Sequence, residues 1–79
     1  MRLDKFLKVS RLIKRRTVAN EACDAGRVLV NGRVAKASGR VAAGDTIEIA
    51  FGNRTVKVRV LDIQDISKKE EAKDLFEYL

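Results

Sequence analysis

Histidine, tryptophan and proline are absent from the 79-residue chain, and it holds a single cysteine. Without His, neither a Ser-His-Asp nor a Cys-His nucleophile pair can be built. Cys23 alone cannot furnish the His or multiple Cys ligands of most zinc sites. It cannot form a disulfide framework either, and a lone thiol fits a reducing, cytoplasmic location better than a secreted one. Its own reading is a small buried apolar residue, because nothing beside it would lower the thiol pKa. No apolar run approaches the ~20 residues of a membrane helix. The opening Met1-Arg2-Leu3-Asp4-Lys5-Phe6 alternates charge too early for a signal peptide. Aromatic residues are only 5% of the chain, and none interleave with basic residues along a strand, which disfavours a stacking platform for single strands. Asp62, Asp65, Glu70, Glu71, Asp74 and Glu77 gather toward the end and read as surface acids rather than a metal or acid–base site. Gly39, Gly44 and Gly52 read as turn glycines, since no strand–glycine loop–helix arrangement follows them. The expectation is a non-enzymatic domain with no cofactor.

Hydrophobic residues at 46% are enough for one folded core, and charged residues at 35% leave a net +6. That charge is unevenly placed. Residues 1–40 hold 11 basic and 3 acidic residues, whereas residues 41–79 hold 6 basic and 8 acidic. In the first 16 residues Arg2, Lys5, Lys8, Arg11, Lys14, Arg15 and Arg16 face only Asp4. A solubilising surface interleaves both signs, whereas a one-signed block reads as the footprint of a polyanion. The alternative is a solvated helix surface rich in basic residues.

Leu3, Phe6, Leu7 and Ser10 follow the i, i+3, i+4, i+7 spacing of a helical face, with Lys5, Lys8, Arg11 and Arg15 opposite. This helix is expected to end between Ser10 and Leu12, which places Lys14-Arg15-Arg16 in a connection. Thr17 is the expected N-cap of a second helix over 18–25, rich in small residues, with Gly26 at its C′ position. The period then changes to two. Val28-Leu29-Val30, Asn31-Gly32, Arg33-Val34-Ala35 reads as a hairpin with a type I′ turn. A second hairpin turns at Gly52-Asn53, pairing Ile49 with Val56, Glu48 with Lys57 and Ile47 with Val58. Ala43-Gly44-Asp45 turns into its first strand. Ser67 and Glu70 form a capping box before Ala72, Leu75, Phe76 and Leu79, so a short amphipathic helix is expected over 67–79. The fold class is therefore α+β: a two-helix corner on a small antiparallel sheet, with a domain over 1–64 and a C-terminal helix within 65–79.

Arginine is favoured where two N–H groups must meet one phosphate or a guanine edge, so Arg2, Arg11, Arg15 and Arg16 are expected to contact the phosphates of a polyanion while Lys5, Lys8 and Lys14 add field. Asp4 reads as a helix-dipole partner or as a salt-bridge anchor that orients nearby cations. Lys36, Ser38 and Arg40, between the hairpins, either extend the basic surface or form a solubilising loop. Lys57 and Arg59 belong to the outward strand face and to cross-strand pairing.

Taken in order, Arg2-Leu3-Asp4-Lys5-Phe6-Leu7, Ser10-Arg11, Arg15-Arg16-Thr17 and Gly26-Arg27-Val28-Leu29-Val30-Asn31-Gly32 resemble the S4-type RNA-binding domain over roughly residues 1–50. The resemblance implies an L-shaped helix pair beside a bent sheet, gripping structured RNA. Among stand-alone members, the first 17 residues and Lys68-Lys69-Glu70-Glu71-Ala72 resemble those of bacterial ribosome quality control. That implies large-subunit rRNA and P-site peptidyl-tRNA as partners, with RqcH bringing alanyl-tRNA for untemplated alanine tailing of stalled chains. A heat-shock cousin has a longer basic C-terminal extension, whereas here the end is short and acidic. The rival readings are a heat-shock-type recycling factor or general structured-RNA binder, and a protein-interaction module working through the acidic end. DNA is disfavoured because no long recognition helix is evident; no membrane partner is expected, and a monomer is.

Overall fold

The computed structural model describes residues 1–63 and 75–79. Two helices, α1 (Leu3–Val9) and α2 (Arg16–Asp24), precede five strands: β1 (Val28–Val30), β2 (Arg33–Val34), β3 (Thr46–Phe51), β4 (Arg54–Val60) and β5 (Phe76–Tyr78). All pair antiparallel in the order β2-β1-β3-β4-β5. One sheet face carries Val28, Ile47, Ile49, Val58 and Val60, and it packs in a single core with Leu3, Phe6 and Leu7 of α1 and Ala19 and Cys23 of α2. Phe6 is fully buried, a contribution of about 1.5–3 kcal/mol relative to exposure. The opposite face carries charge pairs: Lys57 Nζ lies 3.5 Å from Glu48, and Arg59 3.6 Å from Glu77.

Both hairpins form about the turns read from the sequence, and the second has the residue pairing read there. Leu29 opposes Val34 across Asn31-Gly32, and both turn residues have positive φ, 53° and 83°, as a type I′ turn demands. In the second hairpin Ile47 opposes Val58, Glu48 opposes Lys57 and Ile49 opposes Val56. Gly26 (φ 74°) closes α2: its N–H donates to the Cys23 carbonyl, while the Arg27 N–H reaches the Ala22 carbonyl. Those two bonds satisfy carbonyls that the helix end leaves unpaired.

Three expectations need correction. Helix α2 starts at Arg16, two residues before the expected Val18, so Thr17 lies inside it; the N-cap is Arg15, whose side chain makes no capping bond. Helix α1 stops at Val9, so Arg11 and Arg15 do not continue its basic face. The third concerns the C-terminus. The expected helix over 67–79 falls outside the described residues for 67–74, but Phe76–Tyr78 is strand, pairing Phe76 with Val60 and Tyr78 with Val58. The free backbone edge of β4 outcompetes a helical turn there, since so short a helix is marginal alone and an unpaired edge is better covered.

Candidate nucleic-acid interface

The basic corner is built around one buried carboxylate. Helix α1 is entered from Arg2, and its first N–H groups are met from outside the helix: Leu3 N–H donates to the Gly39 carbonyl at 2.7 Å and Asp4 N–H to the Ala37 carbonyl at 3.2 Å. The Lys5 N–H donates to the Asp4 carboxylate at 2.8 Å. These bonds satisfy donors that a helix start leaves orphaned. They also draw the 37–40 loop against the N-terminus, where Arg2 and Arg40 form a β-bridge.

Asp4 is 2% exposed. Its carboxylate accepts from Arg2 Nε and an Nη (3.2 and 3.3 Å), from Arg16 Nε and an Nη (3.3 and 3.4 Å), and from Asn20 Nδ2 (3.4 Å). Burial alone pushes this carboxyl upward, but the hydrogen bonds from Arg16, Arg2 and the Lys5 N–H outweigh it and hold its pKa below 3.8. The carboxylate therefore stays ionised and ties the start of α2 to the start of α1. Both guanidiniums remain about half exposed, at 47% of the side chain. Two cations share one anion, so a net positive charge faces outward from forks already oriented for a tetrahedral oxyanion.

The surface continues from this pair. One open depression is lined by Arg2, Arg16, Thr17 and Asn20; its neighbour shares Arg2 and Asn20 and extends to Lys36 and Ser38. Geometry thus joins the loop to the corner, which the sequence leaves open. Lys8, Lys14, Arg15 and Arg40 are exposed, and Lys5 is half-buried. Arg11 stands apart: it lines a different depression with Phe51, Arg54 and Tyr78. Asn20 and Arg54 are absent from the sequence-derived set. Asn20 carries no local signal, because its role depends on a carboxylate 16 residues earlier. Cys23 is buried, and burial with the nearby Asp4 and Asp24 carboxylates pushes its thiol up to about 11, so it is a packing residue at neutral pH.

The S4 domain family model matches residues 1–47. The chain is 53% identical over 79 residues to the RQC P-site tRNA stabilizing factor of Streptococcus pneumoniae, covering all of this chain and 90% of that one. It is 54% identical over 79 residues to the factor of the same name in Bacillus subtilis, again covering all of this chain and 92% of the relative. Among solved structures it is similar to a trimeric structure of Vibrio cholerae heat shock protein 15, with a TM-score of 0.92 and 31% identity, covering 100% of this chain and 81% of that one.

Proposed function

Since the chain belongs to the S4 domain family, we propose that it is a non-enzymatic RNA-binding factor of ribosome quality control in the cytoplasm. In this reading it binds large-subunit rRNA and the P-site tRNA of obstructed subunits as a monomer. It supports untemplated alanine tailing with RqcH. The observation that carries the reading is the pair of half-exposed guanidiniums, Arg2 and Arg16, held on the buried Asp4. The names of the two bacterial relatives support the assignment to P-site tRNA and to quality control.

Mechanistically, Arg2 and Arg16 meet RNA phosphates with their outward N–H groups while Asp4 fixes their planes. Lys5, Lys8, Lys14, Arg15, Lys36 and Arg40 supply field around them, and Ser38 offers a hydroxyl. Phosphate contacts of this kind set position and orientation, and the folded shape of the RNA supplies selectivity. The order of α1 and α2 is set before RNA arrives, so little side-chain freedom at the two arginines is lost on binding.

The test is recovery of the tagged chain from cells with stalled translation, followed by sequencing of the bound RNA and peptides. Large-subunit rRNA, tRNA and alanine-tailed nascent chains are expected. Recovery of free large subunits without tRNA or tailed chains would favour a heat-shock-type recycling factor, the reading to which the fold likeness with heat shock protein 15 also points. Ribosome association that survives neutralisation of Arg2, Arg15 and Arg16 would instead make the chain a protein-interaction module.

A further inference from the structure

Residues directly opposite in an antiparallel pair share one face of the sheet. On the helix-packed face β3 therefore carries Ile47, Ile49 and Phe51, β4 opposes them with Val58, Val56 and Arg54, and β5 brings Tyr78 beside Val58. The helices cover that face at Ile47 and Val58, both fully buried, but not at Phe51 beside the hairpin turn, 41% exposed, nor at Tyr78 on the edge strand β5, 71% exposed. Two aromatic rings that the register assigns to a core thus stand in water. Phe76 packs edge-on against Tyr78, with ring centroids 5.3 Å apart at 86°, which restrains the tyrosine ring.

Arginines rim this platform. Arg11 reaches it from the α1–α2 connection and Arg54 from the start of β4, around a depression of about 280 Å³. Neither arginine has a carboxylate partner among the described residues. Arg11 also holds a left-handed backbone, φ 66°, a conformation that disfavours any residue but glycine. Exposed aromatic rings flanked by guanidiniums that have no carboxylate partner among the described residues match a nucleotide: a flat base stacks while phosphates on either side take the cations. Three segments distant in the chain, the α1–α2 connection, the β3–β4 hairpin and β5, supply the parts, which is why no aromatic-interleaved basic strand announces them.

We propose that this depression is a second RNA contact that takes one unpaired nucleotide, its base stacked on Phe51 and Tyr78 and its flanking phosphates on Arg11 and Arg54. The inference rests on the RNA-binding reading above and gives the molecule a site for a looped-out base in addition to its phosphate-binding corner.

The chain has one tyrosine and no tryptophan, so its near-ultraviolet emission reports on Tyr78 alone. Titration of the full chain with octauridine should quench that emission, and an abasic oligomer of equal length and charge should bind roughly five- to hundredfold more weakly. With a labelled oligomer as the readout, Tyr78→Phe should keep the preference for bases. Phe51→Ser combined with Tyr78→Ser should erase it while leaving binding of a fully paired RNA duplex, which offers no unpaired base, unchanged. Thermal unfolding of the double variant checks its fold, and Tyr78→Ser alone, at an exposed position, serves if the double variant fails to fold. Equal affinity for the two oligomers, on a chain that still binds structured RNA, overturns the stacking site alone. Failure to bind any RNA overturns the underlying reading and this site with it. Tighter binding and stronger quenching by an acidic peptide than by octauridine would make the platform a protein-docking surface and overturn the proposal.

Discussion

A carboxylate withdrawn from water is costly unless it is paired and hydrogen-bonded, and Asp4 meets that requirement with two guanidiniums, an amide and a backbone N–H. Its folded pKa lies below 3.8, so the stability it contributes is complete above about that pH and is lost as pH falls through the folded value. Asp4→Asn should therefore flatten the acid limb of stability against pH below 3.8. At neutral pH it should cost about 1–3 kcal/mol, because the arginine donors lose their ionised acceptor. Urea unfolding of the two proteins between acid and neutral pH measures both effects; parallel acid limbs would show that Asp4 does not govern them. Arg16→Ala has two consequences. RNA affinity should fall by about 1–3 kcal/mol if the contact is bidentate, and stability should fall by no more than about 1 kcal/mol, since the pair is half exposed and Arg2 and Asn20 remain on Asp4. Parallel titration and thermal unfolding separate the two. The exposure of Arg16 and the anchoring potential of Asp4 are both legible in the sequence; their partnership across 12 residues is not, because it depends on how α2 crosses α1.

Both helices end on a residue with positive φ, but only α2 uses glycine there; α1 is followed by Arg11 at 66°. A left-handed non-glycine residue costs roughly 1 kcal/mol, which Arg11→Gly would relieve in the folded state against some added chain entropy in the unfolded state. Its stability should be unchanged or higher by up to about 1 kcal/mol, while RNA affinity falls, the pattern of a residue retained for its side chain. A clear loss of thermal stability would show that the arginine packs rather than binds. The strands show how far local pattern carries. Alternation with Asn31-Gly32 and Gly52-Asn53 is enough to give both hairpin registers, since turn type and pleat are properties of neighbouring residues. At the C-terminus Leu75, Phe76 and Leu79 fit helical spacing equally well, and what decides is the edge of β4, some 15 residues earlier. Leu75 is 1% exposed and its carbonyl accepts from the Leu61 N–H at 2.8 Å, while the Leu79 N–H donates to the Lys57 carbonyl at 2.9 Å. Leu75→Ala should therefore cost about 2–5 kcal/mol, a core-sized loss at a position near the chain end. A change below 1 kcal/mol in urea unfolding would mean that the terminal strand adds little to the fold.

At the scale of the whole molecule, net charge alone does not distinguish a phosphate-binding corner from a diffusely positive surface, but the distribution of ion pairs does. The outward sheet face neutralises its own cations, Lys57 with Glu48 and Arg59 with Glu77. At the helical end two arginines share one carboxylate, and Lys8 in α1 and Lys14 and Arg15 in the α1–α2 connection are exposed. Each phosphate that a cation neutralises releases condensed counterion, so the logarithm of affinity should fall with the logarithm of salt concentration by about 0.7–0.9 per contact. Arg15→Ala should reduce the magnitude of that slope by roughly 1, as expected for one lost phosphate contact, and Arg2→Ala should do the same. Lys57→Ala carries an identical formal charge change but removes a cation already paired on the far face, so its slope should match that of the parent chain. Titrations of the three variants against structured ribosomal RNA from low to physiological salt make the comparison. Equal slope changes for Lys57→Ala and Arg15→Ala would mean that RNA responds to the total charge of the molecule, and the corner would lose its claim to be the binding surface. A slope that changes only for the corner variants would place the counterion release, and therefore the phosphates, at the start of the two helices.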